Sequence, residues 1–213
     1  MDKSNLAVAI FNEHAEAYQA KYMDIRQYEH SLDVFCEAVA LEQANILELA
    51  CGPGNLTKYL LTQRPQWKVL GTDLSSKMIQ LAQINNPTAQ FRMMDIKEAG
   101  KLEQQFHAVL CGFGLPYCSK QEALQLITDL STILYPSGVL YLSTMEDDYA
   151  KSGYKGSSSG GSPQLYTYYH EADYLCAGLK EAGFDIIHLS RLDILGQEMA
   201  AAKDLVVIAR KKI

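Results

Sequence analysis

Residues 45–55, NILELACGPGN, decide how the rest of the chain is read. Asn45 to Ala50 form a short apolar run with one acid, Glu48, inside it, and two glycines flanking a proline follow at once. A run of that length bounded by glycine predicts a buried strand. Paired glycines after a strand predict a place where the backbone approaches something closely. In an open α/β sheet such a loop lies beyond the carboxyl end of the strand, where ligands bind at a reversal of strand order.

Three ligands compete for this loop. A phosphate-cradling loop requires GxxxxGK[ST]; here Gly54 is followed by Asn55, Leu56 and Thr57, so that reading fails. A dinucleotide fingerprint GxGxxG would want a third small residue where Thr57 stands, and Pro53 removes a backbone donor that a pyrophosphate would use. It stays open as an alternative. The third ligand is a nucleoside without pyrophosphate. Asp73, about twenty residues beyond the glycines, is placed to accept both ribose hydroxyls. With Glu48 and Asp95 it makes three acids at successive strand ends, which suit an ammonium, a ribose and an adenine amino group.

Outward from this stretch, strands and helices alternate. The pattern predicts strands at 45–50, 67–74, 89–96, 106–113 and 138–145, with helices at 54–63, 75–85, 120–134 and 170–183. Ser75 and Ser119 suit helix N-caps, and Gly183 a helix C-terminus. Residues 184–194 and 204–212 predict two closing strands with no helix between them, hence an antiparallel hairpin at a sheet edge. Two helices are expected in the first forty residues, before any strand. The fold class is therefore α/β: a three-layer, doubly wound, Rossmann-like sheet of seven strands, mostly parallel, with N-terminal lid helices.

The stretch SGYKGSSSGGSPQLYTYYH is a Gly/Ser-rich loop followed by tyrosines, and it predicts a mobile lid inside the fold rather than a domain boundary. A single domain over 1–213 is expected, divided into N-terminal helices (1–40), a cofactor-binding core (45–146), the flexible loop and tyrosine segment (147–170), and a C-terminal helix and hairpin (171–213).

Composition narrows the function classes. The hydrophobic share of 48% and charged share of 21% are those of an ordinary soluble protein. A net charge of −6 disfavours a nucleic-acid partner. No apolar run approaches the roughly 20 residues that cross a bilayer, so the chain reads as cytoplasmic with no membrane partner. The five cysteines form no CxxC pair, and neither a disulfide framework nor a metal site is expected.

ILELACGPGNLTKYL, VLGTDLSSKMIQLA, FRMMDI and LYPSGVLYLST, in that order, resemble the successive motifs of class I S-adenosylmethionine-dependent methyltransferases. The flanks FNEHAEAYQAKY and YYHEADYLCAGLKEAGFDII are similar to those of small bacterial members acting on small molecules. The resemblance implies S-adenosylmethionine as cofactor, S-adenosylhomocysteine as product and no metal. It puts Glu48 near the methionyl amine and wraps Ala50, Cys51, Gly52, Gly54 and Asn55 around the cofactor. Asp73 would hold the ribose and Asp95 the adenine amino group, with Ser75 also among the cofactor-binding residues. Leu74, Met78 and Ile96 would sandwich the ring; Cys111 and Gly112 would pass the methionyl moiety, and Tyr18 would reach its carboxylate from the lid. The family commonly has glycine where Ala50 stands.

For the acceptor side, Phe113 and Tyr117 follow the fourth strand, and Tyr166 and Tyr168 alternate in the tyrosine run. His14 and His170 are the candidate general bases, with surface and helix-end roles respectively as their competing explanations. The acids Glu146, Asp147 and Asp148 predict a solvated loop, or else attraction for an amine-bearing acceptor. The expectation is methyl transfer to oxygen or nitrogen of a small molecule, by a monomer or homodimer. A nicotinamide-dependent oxidoreductase and a non-catalytic nucleoside-binding protein are the rivals.

Overall fold

The computed structural model describes residues 3–155, 165–194 and 201–213. Among them, seven strands form one sheet in the order β3-β2-β1-β4-β5-β9-β8. The strands are β1 (Asn45–Leu49), β2 (Lys68–Asp73), β3 (Gln90–Met93), β4 (Phe106–Gly112), β5 (Leu134–Glu146), β8 (Phe184–Asp193) and β9 (Lys203–Lys211). Adjacent strands from β3 to β5 pair in parallel; β9 runs antiparallel to both β5 and β8, which forms the edge. Strand order reverses between β1 and β4, so the loop after β1 stands at the switch point.

Helices cover both faces. On one, α3 (Glu29–Val39) and α4 (Asn55–Gln63) bury Leu32, Phe35 and Leu60 against Ile46, Leu110 and Ile208. On the other, α6 (Lys120–Ile133) and α7 (Ala172–Glu181) bury Leu126, Leu130 and Leu179 against Leu47, Val109 and Val207. These alternate residues of each strand pointing to opposite layers follow from the period of two along a strand. Ser119 and Glu122 form a reciprocal capping box at the start of α6, and Gly183 takes φ +85° just past the end of α7. Trp67 is buried and donates its indole N–H to the Leu41 carbonyl at 2.9 Å.

Four expectations need correction. The N-terminal region holds three helices, not two: α1 (Lys3–Glu13), α2 (Ala15–Tyr22) and α3. His14, with φ −109° and ψ 17°, kinks the first pair, and residues 23–28, which include a 3₁₀ turn over Arg26–Tyr28, separate the second. β3 stops at Met93; Asp95 instead caps the following 3₁₀ turn by accepting from the Lys97 N–H at 2.9 Å. β5 starts at Leu134, but its register against β4 slips between Phe106 and Ala108, with Ser137 at φ +64°. The tyrosine segment is no simple loop: β6 (Gly153–Lys155) pairs with β7 (Leu165–Thr167) as a separate two-stranded sheet. Residues 156–164, the centre of the Gly/Ser stretch, lie outside the described residues.

Candidate active site

The site is built from the loop after β1. Ala50, Gly52 and Gly54 all have positive φ, at 52°, 53° and 78°. Gly54 begins α4 but has no side chain to cap it. Glu48 does so from β1: its buried carboxyl group accepts from the Thr57 hydroxyl and backbone of the helix's first turn. Burial pushes the Glu48 carboxyl up to about 8, against the pull of those Thr57 bonds.

The N–H groups of this loop are already spent. Cys51 donates to the Thr72 carbonyl at 2.9 Å, Gly52 to Asp73 Oδ2 at 2.9 Å and Gly54 to the Cys51 carbonyl at 2.9 Å; Pro53 has none to give. A pyrophosphate would find no backbone donor from 51 to 54 and would face the Asp73 carboxylate. The other oxygen, Asp73 Oδ1, accepts from the Ser75 N–H at 2.8 Å. Each carboxylate oxygen thus keeps capacity for one further donor, as a ribose diol requires.

Beyond the loop lies an outer cleft of about 850 Å³, mouth included. Asp73, Leu74, Ser75 and Met78 line one side; Met94, Asp95, Ile96 and Lys97 line the next. Ser75 also caps α5 (Ser76–Asn85), accepting from the Met78 N–H at 3.1 Å. Lys97 is not a free cation for a phosphate, since its ammonium lies 3.7 Å from Asp95 and 3.4 Å from Glu122. Apolar walls between two carboxylates fit a flat base with a ribose on one side and an amino group on the other.

α1 and α2 roof the cleft. Ala7, Val8 and Phe11 line it, and Phe11 meets Tyr18 and Tyr117 edge-on at ring separations of 5.7 and 5.4 Å. Asn12 Oδ1 accepts from Ser75 Oγ at 2.8 Å and the Lys77 N–H at 3.1 Å, tying the lid to the start of α5. At the other end of α5, Asn85 Nδ2 donates to Gln19 Oε1 at 2.7 Å and the Pro53 carbonyl at 2.8 Å. A Cβ added at Gly52 would stand 3.8 Å from the Tyr18 ring, so this glycine keeps open a cradle between loop and lid. Burial pushes the Tyr18 hydroxyl up from its ordinary value.

Behind the outer cleft is a smaller inner cavity, with about 420 Å³ of non-atom space, mouth included, and about 40 Å³ open to a water. Tyr18, Ala50, Gly52, Gly112 and Phe113 belong to both. Tyr28, Glu48, Cys51 and Asn55 line only the inner one, together with Leu56, Tyr141 and Ser143. Tyr28 lies on a 3₁₀ turn before α3; its hydroxyl donates to Asp204 Oδ2 on β9 at 2.6 Å, and its ring is 5.5 Å from that of Phe113.

Several candidates lie elsewhere. His14 is exposed at the α1–α2 kink and lines neither cavity. His170 is fully buried, with Nε2 2.8 Å from the Leu115 carbonyl and Nδ1 against the Tyr174 hydroxyl; both nitrogens are committed, and burial lowers its basicity. Tyr166 and Tyr168 pack around Lys3 at the start of α1: the ammonium sits 3.4 Å from the Tyr166 ring centre and donates to the Tyr168 hydroxyl at 3.0 Å. They brace the lid from outside and do not line the cleft. Gly54 faces Asn86 and Ala82 rather than the cleft. The Cys111 side chain is in the core, its thiol pushed up to about 12 by burial. Of the acids at the end of β5, Glu146 pairs with Arg191 and accepts from the Ala172 N–H, while Asp147 pairs with Lys151.

Phe11, Met94, Tyr28, Tyr141, Ser143 and Asp204 were not singled out in the sequence. The helical spacing of Phe11 and Tyr18 was the one available signal.

A family model described as a methyltransferase domain matches residues 46–138. A trans-aconitate 2-methyltransferase of Variovorax paradoxus is 36% identical over 46% of this chain, which spans only 38% of that relative. A malonyl-[acyl-carrier protein] O-methyltransferase of Priestia megaterium is 27% identical over 86% of this chain and 72% of its own length. In fold, the chain is similar to magnesium protoporphyrin IX methyltransferase from Synechocystis, with a TM-score of 0.72, 17% identity and coverage of 100% of this chain and 98% of that one. Its motifs, its sheet order and this match over 46–138 support a class I S-adenosylmethionine-dependent methyltransferase.

Proposed function

We propose that the protein binds S-adenosylmethionine with its nucleoside in the outer cleft and its methionyl end towards Glu48 and Gly112 in the inner cavity, and transfers the methyl group to oxygen or nitrogen of a small molecule. The observation that carries this reading is the loop at 51–54, whose backbone donors are spent internally and on Asp73. Such a loop suits a nucleoside and turns away a pyrophosphate, which disfavours the nicotinamide alternative.

The residues have separable tasks. Asp73 would hold the ribose hydroxyls, Asp95 the adenine amino group, and Leu74, Met78 and Ile96 the faces of the ring. Phe11 and Tyr18 would close the cleft against water. When bound, the cofactor supplies a methyl group already activated on a sulfonium. The protein's remaining work is alignment of the acceptor, which contributes roughly 7–11 kcal/mol in favourable cases. Neither His14 nor His170 can serve as the acceptor's base from its position. The acceptors in the relatives' names, trans-aconitate and a malonyl thioester, are not carried over, because the chain spans 38% of the first relative and is 27% identical to the second.

Calorimetric titration with S-adenosylhomocysteine, with NADH as comparator, tests the reading. Saturable binding of the first and none of the second is expected; the reverse would end the methyltransferase proposal.

A further inference from the structure

The turn after β4 sets one side chain where the two cavities meet. Gly112, Phe113 and Gly114 follow one another there, and neither glycine has room for a side chain. A Cβ at Gly112 would stand 2.5 Å from Leu56 Cδ1, and one at Gly114 2.7 Å from Cys111 Sγ. Phe113 alone projects from the turn, and it does so at φ +55°. A bulky residue rarely takes that conformation, which persists only where its surroundings impose it. Here β5 imposes it: the Phe113 N–H is shared between the Ser143 carbonyl and Ser143 Oγ, each at 3.1 Å. The ring lies 5.5 Å from that of Tyr28, whose hydroxyl is tied to Asp204.

The residues common to both cavities are Tyr18, Ala50, Gly52, Gly112 and Phe113. With the nucleoside in the outer cleft and the methionyl end in the inner cavity, the sulfur that joins them has to pass this boundary. Only Tyr18 and Phe113 carry more than a methyl group there, and each presents a ring. An aromatic face attracts a cation more strongly than a neutral thioether, and the more so where water is excluded. Tyr18 belongs to the lid, packed edge-on to Phe11 and 4.5 Å from the Tyr22 ring. Phe113 is fixed to the sheet, so its ring stands at the boundary whatever the lid does.

We infer that Phe113 determines the site's selectivity for charge on the cofactor's sulfur: its ring faces the sulfonium and favours S-adenosylmethionine over the neutral S-adenosylhomocysteine left after transfer. The inference rests on the methyltransferase reading. It moves Phe113 to the cofactor from the acceptor side, where its place in the sequence had put it. Asp73 lines the same cleft and also attracts a positive charge, but it is unaltered by a change at position 113, so such a change reads the ring alone.

Calorimetric titrations without an acceptor compare three ligands: S-adenosylmethionine, sinefungin, which carries an ammonium in place of the methylsulfonium, and S-adenosylhomocysteine. In Phe113→Leu both cations should lose at least about fivefold in affinity relative to S-adenosylhomocysteine, whose own affinity should change by less than about twofold. A ring-fluorinated phenylalanine installed at position 113 keeps the shape but drains the negative face of the ring. It should lower the same ratio in part, and it reads the ring even where the leucine variant does not fold. Phe113→Tyr should keep the ratio. An unchanged ratio with leucine or with the fluorinated ring, equal losses for all three ligands, or a loss confined to S-adenosylmethionine would each overturn the inference. Failure of the unaltered protein to bind any of the three would instead strike at the methyltransferase reading.

Discussion

Asp73 and Tyr28 stand on the walls of adjoining cavities, yet they are held there in different ways. Asp73 ends β2 and is fixed by its immediate surroundings: the Gly52 N–H across the loop and the Ser75 N–H two residues on. Its neighbours in the outer cleft, Leu74, Ser75 and Met78, follow within one turn. Tyr28 is held by Asp204, which lies 176 residues away on the strand next to β5. The inner cavity draws on α2 with the turn that follows it, and on β1, β4 and β5, which lie far apart in sequence. The outer cleft is a local device repeated along successive βα units; the inner cavity exists only once the sheet has closed around its switch point.

Four substitutions would break or sharpen that contrast. The largest effect is expected at Asp73→Asn, which removes the charge and one acceptor facing the ribose. Two charge-assisted hydrogen bonds weaken together, and affinity for S-adenosylhomocysteine should fall about 100-fold or more by calorimetry. A loss of less than about threefold would mean that the outer cleft does not hold a ribose at Asp73.

Glu48 belongs to both parts, as helix cap and as cavity wall. Because burial holds its folded-state value at about 8, above the ordinary carboxylate range, the folded protein keeps a proton that the unfolded chain loses. Its contribution to stability is therefore present in acid, below about pH 4, and is lost as pH rises through about 8. Thermal melts of the ligand-free protein across that window should show a decline that Glu48→Gln flattens. An unchanged slope in the variant would assign the decline to other groups.

Tyr28→Phe leaves the buried Asp204 with Gln27 alone. It should lower stability by about 1–3 kcal/mol in urea titration while changing S-adenosylhomocysteine affinity by less than about twofold. A large loss of that affinity would place the Tyr28 hydroxyl at the cofactor.

The smallest effect is expected at Ala50→Gly. A left-handed alanine at φ 52° carries a strain of about 1 kcal/mol, and glycine would relieve it while adding disorder to the unfolded chain. Stability should rise by less than about 1 kcal/mol, with cofactor-analogue binding unchanged; a clear loss would show that the Ala50 methyl group itself packs in the site.

Most of the architecture was legible along the chain because it rests on short-range signals. Alternating strand and helix patterns placed the parallel sheet, the missing helix before the last strand placed the antiparallel hairpin, and Ser75, Ser119 and Gly183 marked helix ends. The misreadings fall where tertiary contacts override local pattern. The apolar run at 89–96 ends early because Asp95 finds a backbone partner in the next turn. His170 resembled a catalytic base by its place beside the tyrosines, but a carbonyl from the turn after β4 and the Tyr174 hydroxyl occupy its ring. Tyr166 and Tyr168 alternate as expected of a strand, yet the face they show meets Lys3 of α1.

By itself, then, the sequence determined the βα succession, the glycine loop after the first strand and the acids at the strand ends, because each depends on residues within a turn or two of one another. Only the tertiary structure decided which side chains share a cavity. It brought Phe11 over the glycine loop, set Asp204 behind Tyr28 and gathered Glu48 with four aromatic rings on the inner wall. Such groupings are formed by the crossing of distant elements, and no pattern along the chain encodes them.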